Sequence, residues 1–243
     1  MENEETPQRF RRVLLKLSGE VFRHSVTGEC LDPARFGDTA RRLKHVHDQG
    51  TQLAIVIGGG NIFRGYAGES LGTDRVRGDT MGMLATMINS LSLEAALQRL
   101  GVPATTLAAV DMPRVAPLFT RDRAERLLQD GHVVILGGGT GNPFFTTDTA
   151  AALRAAELKA DALFKATKVN GIYTADPHKD PTATQYKVLT YSDALQRQLK
   201  VMDAAAFALC MDNRIPILVF NFFDENEMTR AFAGGAAGTL VCA

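Results

Sequence analysis

A lysine interrupts the apolar run "RVLLKLSGE", where Lys16 stands near the end of the run and Ser18 and Gly19 follow. Burying an unpaired ammonium is costly. The position calls either for an anion at the lysine head or for a sheet edge where the stem reaches water. Two glycine triplets close similar apolar runs, in "LAIVIGGGNIFRG" (53–65) and "VVILGGGTGNPFFTTD" (133–148). Glycine permits close backbone approach and positive φ, so successive N–H groups can converge on a phosphate. The plainer reading of each triplet is a tight strand-to-helix turn. Beside them, Arg64 suits a bidentate phosphate contact. Asp79, in "RGDTMGMLAT", either caps the helix that follows or accepts hydrogen bonds from sugar hydroxyls. Thr146, Thr147 and Asp148 precede another helical pattern. Thr147 can cap that helix, but hydroxyls and N–H groups at a helix start also suit an anion or a polar base edge. Lys165 and Lys168, in "FKATKVNG", are alternative second cations. Asp203, in "KVMDAAAF", either organises lysines or metal or caps the helix after it. This set of residues points to phosphate chemistry.

Other chemistries are excluded. "GGGTGN" does not satisfy GxGxxG, and GxxxxGK[ST] is absent, which argues against a Rossmann dinucleotide site and a P-loop. Cys30, Cys210 and Cys242 show no metal or redox spacing, and the five histidines show none either. Cys210 reads as a buried small hydrophobe. The 27 basic and 27 acidic residues cancel, so no nucleic-acid partner or anionic membrane is expected. The polar N-terminus lacks an apolar signal core, and no apolar run approaches the roughly 20 residues that cross a bilayer. A cytoplasmic location is expected.

The elements that must hold these residues are legible as alternating patterns. "RVLLKLS", "LAIVI", "VVIL", "DALFKAT", "ILVFN" and "TLVCA" are continuous Val/Ile/Leu-rich runs, the pattern of strands buried on both faces of a parallel sheet. Between them lie helical patterns. One opens at Asp32 with Pro33 behind it and closes at Gly50. Another is the long apolar stretch ending at Gly101, and two more begin at "TRDRAERLLQDG" and "TDTAAALRAAELKA". The expectation is an α/β fold, a three-layer αβα sandwich with a mostly parallel central sheet. It is read as one compact unit with a seam near Thr147, dividing residues 1–147 from 148–243. The turn-rich stretch 169–191 reads as an ordered loop region.

Taken together, "LLKLSGE", "VIGGGNIFRG", "RGDTMGMLAT", "GTGNPFFTTD", "KATKVNGIYTADP" and "LKVMDAAAFALC" resemble the bacterial uridylate kinases of the amino acid kinase family. The resemblance runs in order from about Arg12 to the C-terminus. It implies transfer of the ATP γ-phosphoryl group to UMP, with Mg²⁺, in pyrimidine nucleotide (CTP) synthesis, and a homohexamer. It implies an acceptor-binding half at 1–147 and an ATP-binding half at 148–243. The family's ATP contacts fall on Lys16, Leu17, Ser18, Gly19, Gly60, Arg64, Thr167, Tyr173 and Asp176. Its UMP contacts fall on Gly59, Asp79, Thr140, Gly141, Asn142, Pro143, Phe144, Phe145, Thr146 and Thr147. Lys16, Arg64 and Asp203 are the expected catalytic set, and no protein-held metal is assigned. Two departures stand out: Asn170 replaces a more usual Asp, and Glu94 and Gln98 stand where GTP-activated members carry arginine and histidine. The second argues against GTP activation, while UTP, able to occupy the UMP site, is the expected inhibitor. Two competing readings remain, a family member acting on a carboxylate or carbamate and a non-catalytic nucleotide sensor.

Overall fold

The structure, a computed structural model, describes residues 10–63, 72–177, 179–199 and 201–243. Eight strands form one sheet: β1 (Arg12–Leu17), β2 (Gln52–Ile57), β3 (Ala104–Ala108), β4 (Val133–Gly137), β5 (Ala162–Thr167), β6 (Val188–Thr190), β7 (Ile217–Asn221) and β8 (Thr239–Cys242). The described helices of six residues or more are α1 (Pro33–Asp48), α2 (Arg75–Arg99), α3 (Arg121–Gln129), α4 (Thr147–Glu157), α5 (Tyr191–Gln196), α6 (Ala204–Asp212) and α7 (Glu225–Phe232). The order across the sheet is β3-β4-β2-β1-β5-β7-β8-β6. All pairings are parallel except β7 with β8. The expected three-layer α/β sandwich is therefore the fold.

Period-two alternation sends each strand's side chains to two buried layers. Val13, Leu15 and Leu17 of β1 pack with Leu43 of α1, Leu93 and Leu97 of α2, and Phe232 of α7. Leu14 faces the other layer with Ala150, Ala151 and Ala155 of α4 and Phe207 of α6. Two strands escape a reading of apolar runs. β3 carries two adjacent threonines in "ATTLA", and β6 is only three residues long within the turn-rich stretch. Two helix starts also differ from expectation. Asp74, not Asp79, caps α2, its side chain accepting from the Arg77 N–H. Thr146, not Thr147, caps α4, accepting from the N–H groups of Asp148 and Thr149. In each case the nearest polar residue to the apolar pattern is one place or one turn inside the helix.

Helix α2 braces both glycine loops. Asn89 and Asn61, fully buried, exchange side-chain hydrogen bonds of 2.8 and 3.0 Å. Asn89 also donates to the Gly58 carbonyl at 2.8 Å, and Asn61 to the Cys30 carbonyl at 2.7 Å. One turn earlier on α2, the Thr86 hydroxyl accepts from the Gly138 N–H at 2.8 Å and donates to the Met83 carbonyl. The contact is close enough to require glycine. A methyl group on Gly59 would lie 2.8 Å from Ala85 Cβ and 2.9 Å from the Gly82 carbonyl oxygen. The triplets thus serve packing against α2 as well as any ligand. Replacing Asn89 by Ala strands the buried Asn61 amide and the Gly58 carbonyl, at a cost of about 2–3 kcal/mol. Urea unfolding measures it, and an unchanged midpoint would refute the brace.

Candidate active site

Strand register brings the two lysines together. Lys16 on β1 and Lys165 on β5 are direct parallel partners. Both share the face of Leu14 and Leu163, the face that α4 covers. The first turn of α4 delivers Asp148 between them. Its Oδ1 lies 2.6 Å from Lys16 Nζ and its Oδ2 2.8 Å from Lys165 Nζ. Lys165 also donates to the Val201 carbonyl at 2.6 Å. Burial alone would raise the Asp148 carboxyl, but the two ammonium groups outweigh it and hold the group below the usual carboxylate range. Burial depresses Lys165, and the neighbouring Lys16 charge adds to this, while Asp148 opposes both. Two cations gather on one carboxylate at the carboxyl ends of the central strands, where open α/β sheets bind ligands, and the Asp203 charge also supports Lys165. Of the two candidate second cations, Lys165 joins this cluster. Lys168 is exposed and lines a separate surface hollow with Arg23, His24 and Arg35. Asp148 completes the cluster, and its signal in the sequence was only its place beside two threonines at a helix start.

Asp203 stands next to this cluster rather than in it. It caps α6 through the Ala206 N–H at 2.8 Å, and its carboxylate accepts from the Thr149 hydroxyl at 3.0 and 2.9 Å and from the Thr146 hydroxyl. The two helix starts, α4 and α6, are therefore tied to each other through one carboxylate. Its cap role is visible, its other bonds go to threonines, and its charge supports the ionised form of Lys165.

A cavity of about 390 Å³ lies beside the pair. Its lining includes Gly59, Gly60, Asp79, Thr140, Asn142, Phe145, Thr146 and Thr147 from the expected set. It adds Met83 and Thr86 of α2. Gly141, Pro143 and Phe144 do not line it. Gly141 makes the turn beneath, at φ 78°, with no room for a side chain against the Ala109 carbonyl. Phe144 enters through its backbone, donating its N–H to Asp79 Oδ2 at 2.7 Å. The convergent hydroxyl, amide and carboxylate groups, with apolar side chains from Phe145 and Met83, suit a polar base and sugar.

The other expected contacts lie around β1 and β5. Leu17 is fully buried and its carbonyl accepts from the Gly58 N–H at 2.9 Å, so its side chain is unavailable to a ligand. The Ser18 hydroxyl accepts from the Glu20 N–H at the start of a short 3-10 turn that contains Gly19. Thr167 ends β5 with its hydroxyl bonded to the Val169 carbonyl at 2.7 Å. Tyr173 bridges to Gln185, and Asp176 is exposed, 3.9 Å from Lys179. None of these six residues lines the cavity. Arg64 lies outside the described residues.

The Asp148 carboxyl carries a linkage of definite sign. Its folded pKa lies below the unfolded value, so its stabilisation is complete above about pH 3.9 and is lost as pH falls through the folded value. Asp148→Asn is expected to remove that acid slope and to cost about 3–5 kcal/mol at neutral pH, because two half-buried ammonium groups lose their partner. Urea titrations across pH 3–8 test this. Parallel stability curves for the two proteins would contradict it.

Comparison with known proteins converges on one group. The model of the family described as "Amino acid kinase family" matches residues 11–221. The chain is 50% identical over 236 residues to the uridylate kinase of Phocaeicola vulgatus, spanning 96% of this chain and 98% of that one. It is 48% identical to the uridylate kinase of Bacteroides thetaiotaomicron over the same shares. Among solved structures, the UMP kinase from Bacillus anthracis superposes with a TM-score of 0.93 at 38% identity, covering 97% of each chain. That from Ureaplasma parvum gives 0.90 at 35%, covering 97% of this chain and all of that one. The order of strands around the lysine pair and the near end-to-end likeness agree: the chain belongs to the amino acid kinase family, in its uridylate kinase branch.

Proposed function

We propose that this protein transfers the γ-phosphoryl group of ATP to UMP, giving ADP and UDP, and so serves pyrimidine nucleotide synthesis. The carrying observation is the juxtaposition of Lys16 and Lys165 on Asp148 with a cavity whose lining includes Thr146 and Thr147, the two residues before that carboxylate. The names of the similar proteins support the same acceptor. The second ionisation of a phosphate monoester lies near pH 6, so the UMP oxygen is already anionic and no general base is needed. That oxygen bonds to the γ-phosphorus while the bond to the bridging oxygen breaks, and ADP leaves with the electron pair. The lysines offset charge spread over the transferred group. Mg²⁺ bound with ATP supplies further positive charge to the phosphate oxygens. Asp148 and Asp203 are already engaged by lysines, hydroxyls and an amide, which supports a divalent ion held chiefly by the phosphates themselves.

In this reading the side β3-β4-β2-β1, within residues 1–147, holds the acceptor, and the side β5-β7-β8-β6, within 148–243, holds ATP. Leu17, Ser18, Gly19, Gly60, Arg64, Thr167, Tyr173 and Asp176 then surround the donor. Glu94 accepts from the Thr106 N–H at 3.1 Å and from Gln98, which also donates to the Ala104 carbonyl. This acidic, self-satisfied patch offers no cation to a triphosphate, in keeping with an enzyme that GTP does not activate. UTP shares the uridine of UMP and competes for its cavity. Assembly is supported by α2, which is apolar on both sides. Leu84, Ile88 and Leu91, at successive turns, are 50%, 44% and 36% exposed, a stripe suited to another copy of the chain in a hexamer.

The direct test is ADP release from Mg-ATP with UMP, CMP, dUMP, AMP, acetylglutamate, carbamate and aspartate as acceptors. Turnover with UMP is expected, with Lys16→Ala lowering kcat about 10²–10³-fold, the scale for one transition-state donor. Turnover only with a carboxylate or carbamate would overturn the acceptor, and nucleotide binding without transfer would favour a sensor. For assembly, Ile88→Glu is expected to lower the mass seen by sedimentation. A hexamer that persists in this variant, or a wild-type monomer, would remove α2 from the interface.

A further inference from the structure

We propose that Arg75 is a positioning residue of the acceptor site, committing one oxygen of Asp79 to the protein and leaving the other for the sugar of the substrate. The inference rests on the reading that the cavity takes a nucleoside monophosphate. Asp79 Oδ2 receives two donors. One is the Phe144 N–H at 2.7 Å, from the loop after β4, and the other is Arg75 Nε at 2.8 Å, one turn earlier on α2. No described group donates to Oδ1, and Asp79 lines the cavity. Phe144 has φ 72°, a conformation uncommon for a bulky residue, so the loop is held from outside itself. The Arg75 guanidinium also lies 5.7 Å from the Phe144 ring centroid and so touches both members of the latch.

Exposure separates this role from a stabilising one. Arg75 is 61% exposed on its side chain and Asp79 only 15%. A surface pair one turn apart contributes little to folding. Its consequence is directional: two donors on one oxygen fix the carboxylate plane, and the lone pairs of the other oxygen stay available to a hydroxyl. The same contacts join the first turn of α2 to the 140s loop, two walls of the cavity. Losing Arg75 leaves the fold intact and lets the carboxylate turn.

Steady-state kinetics of the wild type, Arg75→Ala and Arg75→Lys, with UMP, dUMP and ATP each varied, test this. Arg75→Ala is expected to raise the KM for UMP about 2–5-fold, the scale of one exposed charge pair. The kcat and the KM for ATP stay within about twofold, the preference for UMP over dUMP narrows, and the thermal midpoint is unmoved. Arg75→Lys recovers part of the loss, since an ammonium reaches the carboxylate without the directed Nε–H. An unchanged KM for UMP in Arg75→Ala overturns the proposal alone. Equal rises in both KM values with a lower thermal midpoint also overturn it, by making Arg75 merely structural. A wild-type protein inactive toward UMP overturns the acceptor assignment and this proposal with it.

Discussion

Two ammonium groups held side by side inside a protein repel each other and resist burial, and that conflict organises this molecule. Parallel pairing of β1 with β5 fixes Lys16 opposite Lys165, on the face that α4 covers. Without a counter-charge, burial would drive a proton off one of them. Asp148 resolves the conflict, and it reaches both heads because α4 begins where the strands end. The position of α4 is in turn set by the Thr146 cap and by the bridge from Thr146 and Thr149 to Asp203, which starts α6. The helix N-terminus adds its own positive field beside the lysines. The outcome is a site whose cations are held in place before any ligand arrives, which suits phosphoryl transfer because preorganised charge costs no rearrangement at the moment of reaction.

The second constraint is the brace of α2 on the glycine loops. A chain that must bring two loops within reach of one ligand has to fix both against a common element. Here that element is one helix, through Asn89 to Gly58 and Thr86 to Gly138. The small residues let the loops approach α2 closely, and the buried amides and hydroxyl satisfy the backbone groups such an approach would otherwise strand. Helix α2 also carries Asp79 toward the cavity and presents an apolar stripe outward. One element thus links loop geometry, the wall of the cavity and the surface proposed for assembly.

Legibility in the sequence followed the range of the interactions involved. Lys16 was conspicuous because a charge inside an apolar run violates local expectation, and the triplets were conspicuous because three glycines in a row are costly. The choice of Lys165 over Lys168 was not legible, since both stand near the end of one run and only the strand register and the cover of α4 separate them. Asp148 and the Asn61–Asn89 pair were likewise hidden. A helix-start aspartate looks like a cap, and two asparagines 28 residues apart become partners only after folding. β3 was obscured by threonines inside a buried strand. The placement of the caps at Asp74 and Thr146 was decided by which side chain met a free N–H.

By itself the sequence determined the α/β class, the mostly parallel sheet, the strand-end glycine loops and the presence of lysines at the ends of apolar strands, because each is written in local periodicity or in a residue out of keeping with its neighbours. Only the tertiary structure decided which cation joins Lys16, which carboxylate restrains them, how the triplets are anchored, and which oxygen of Asp79 remains open. Those outcomes depend on strand register and helix placement, properties of pairs of segments distant in the chain. Local pattern limits such pairings without choosing among them; packing density and the need to satisfy every buried charge and amide make the choice.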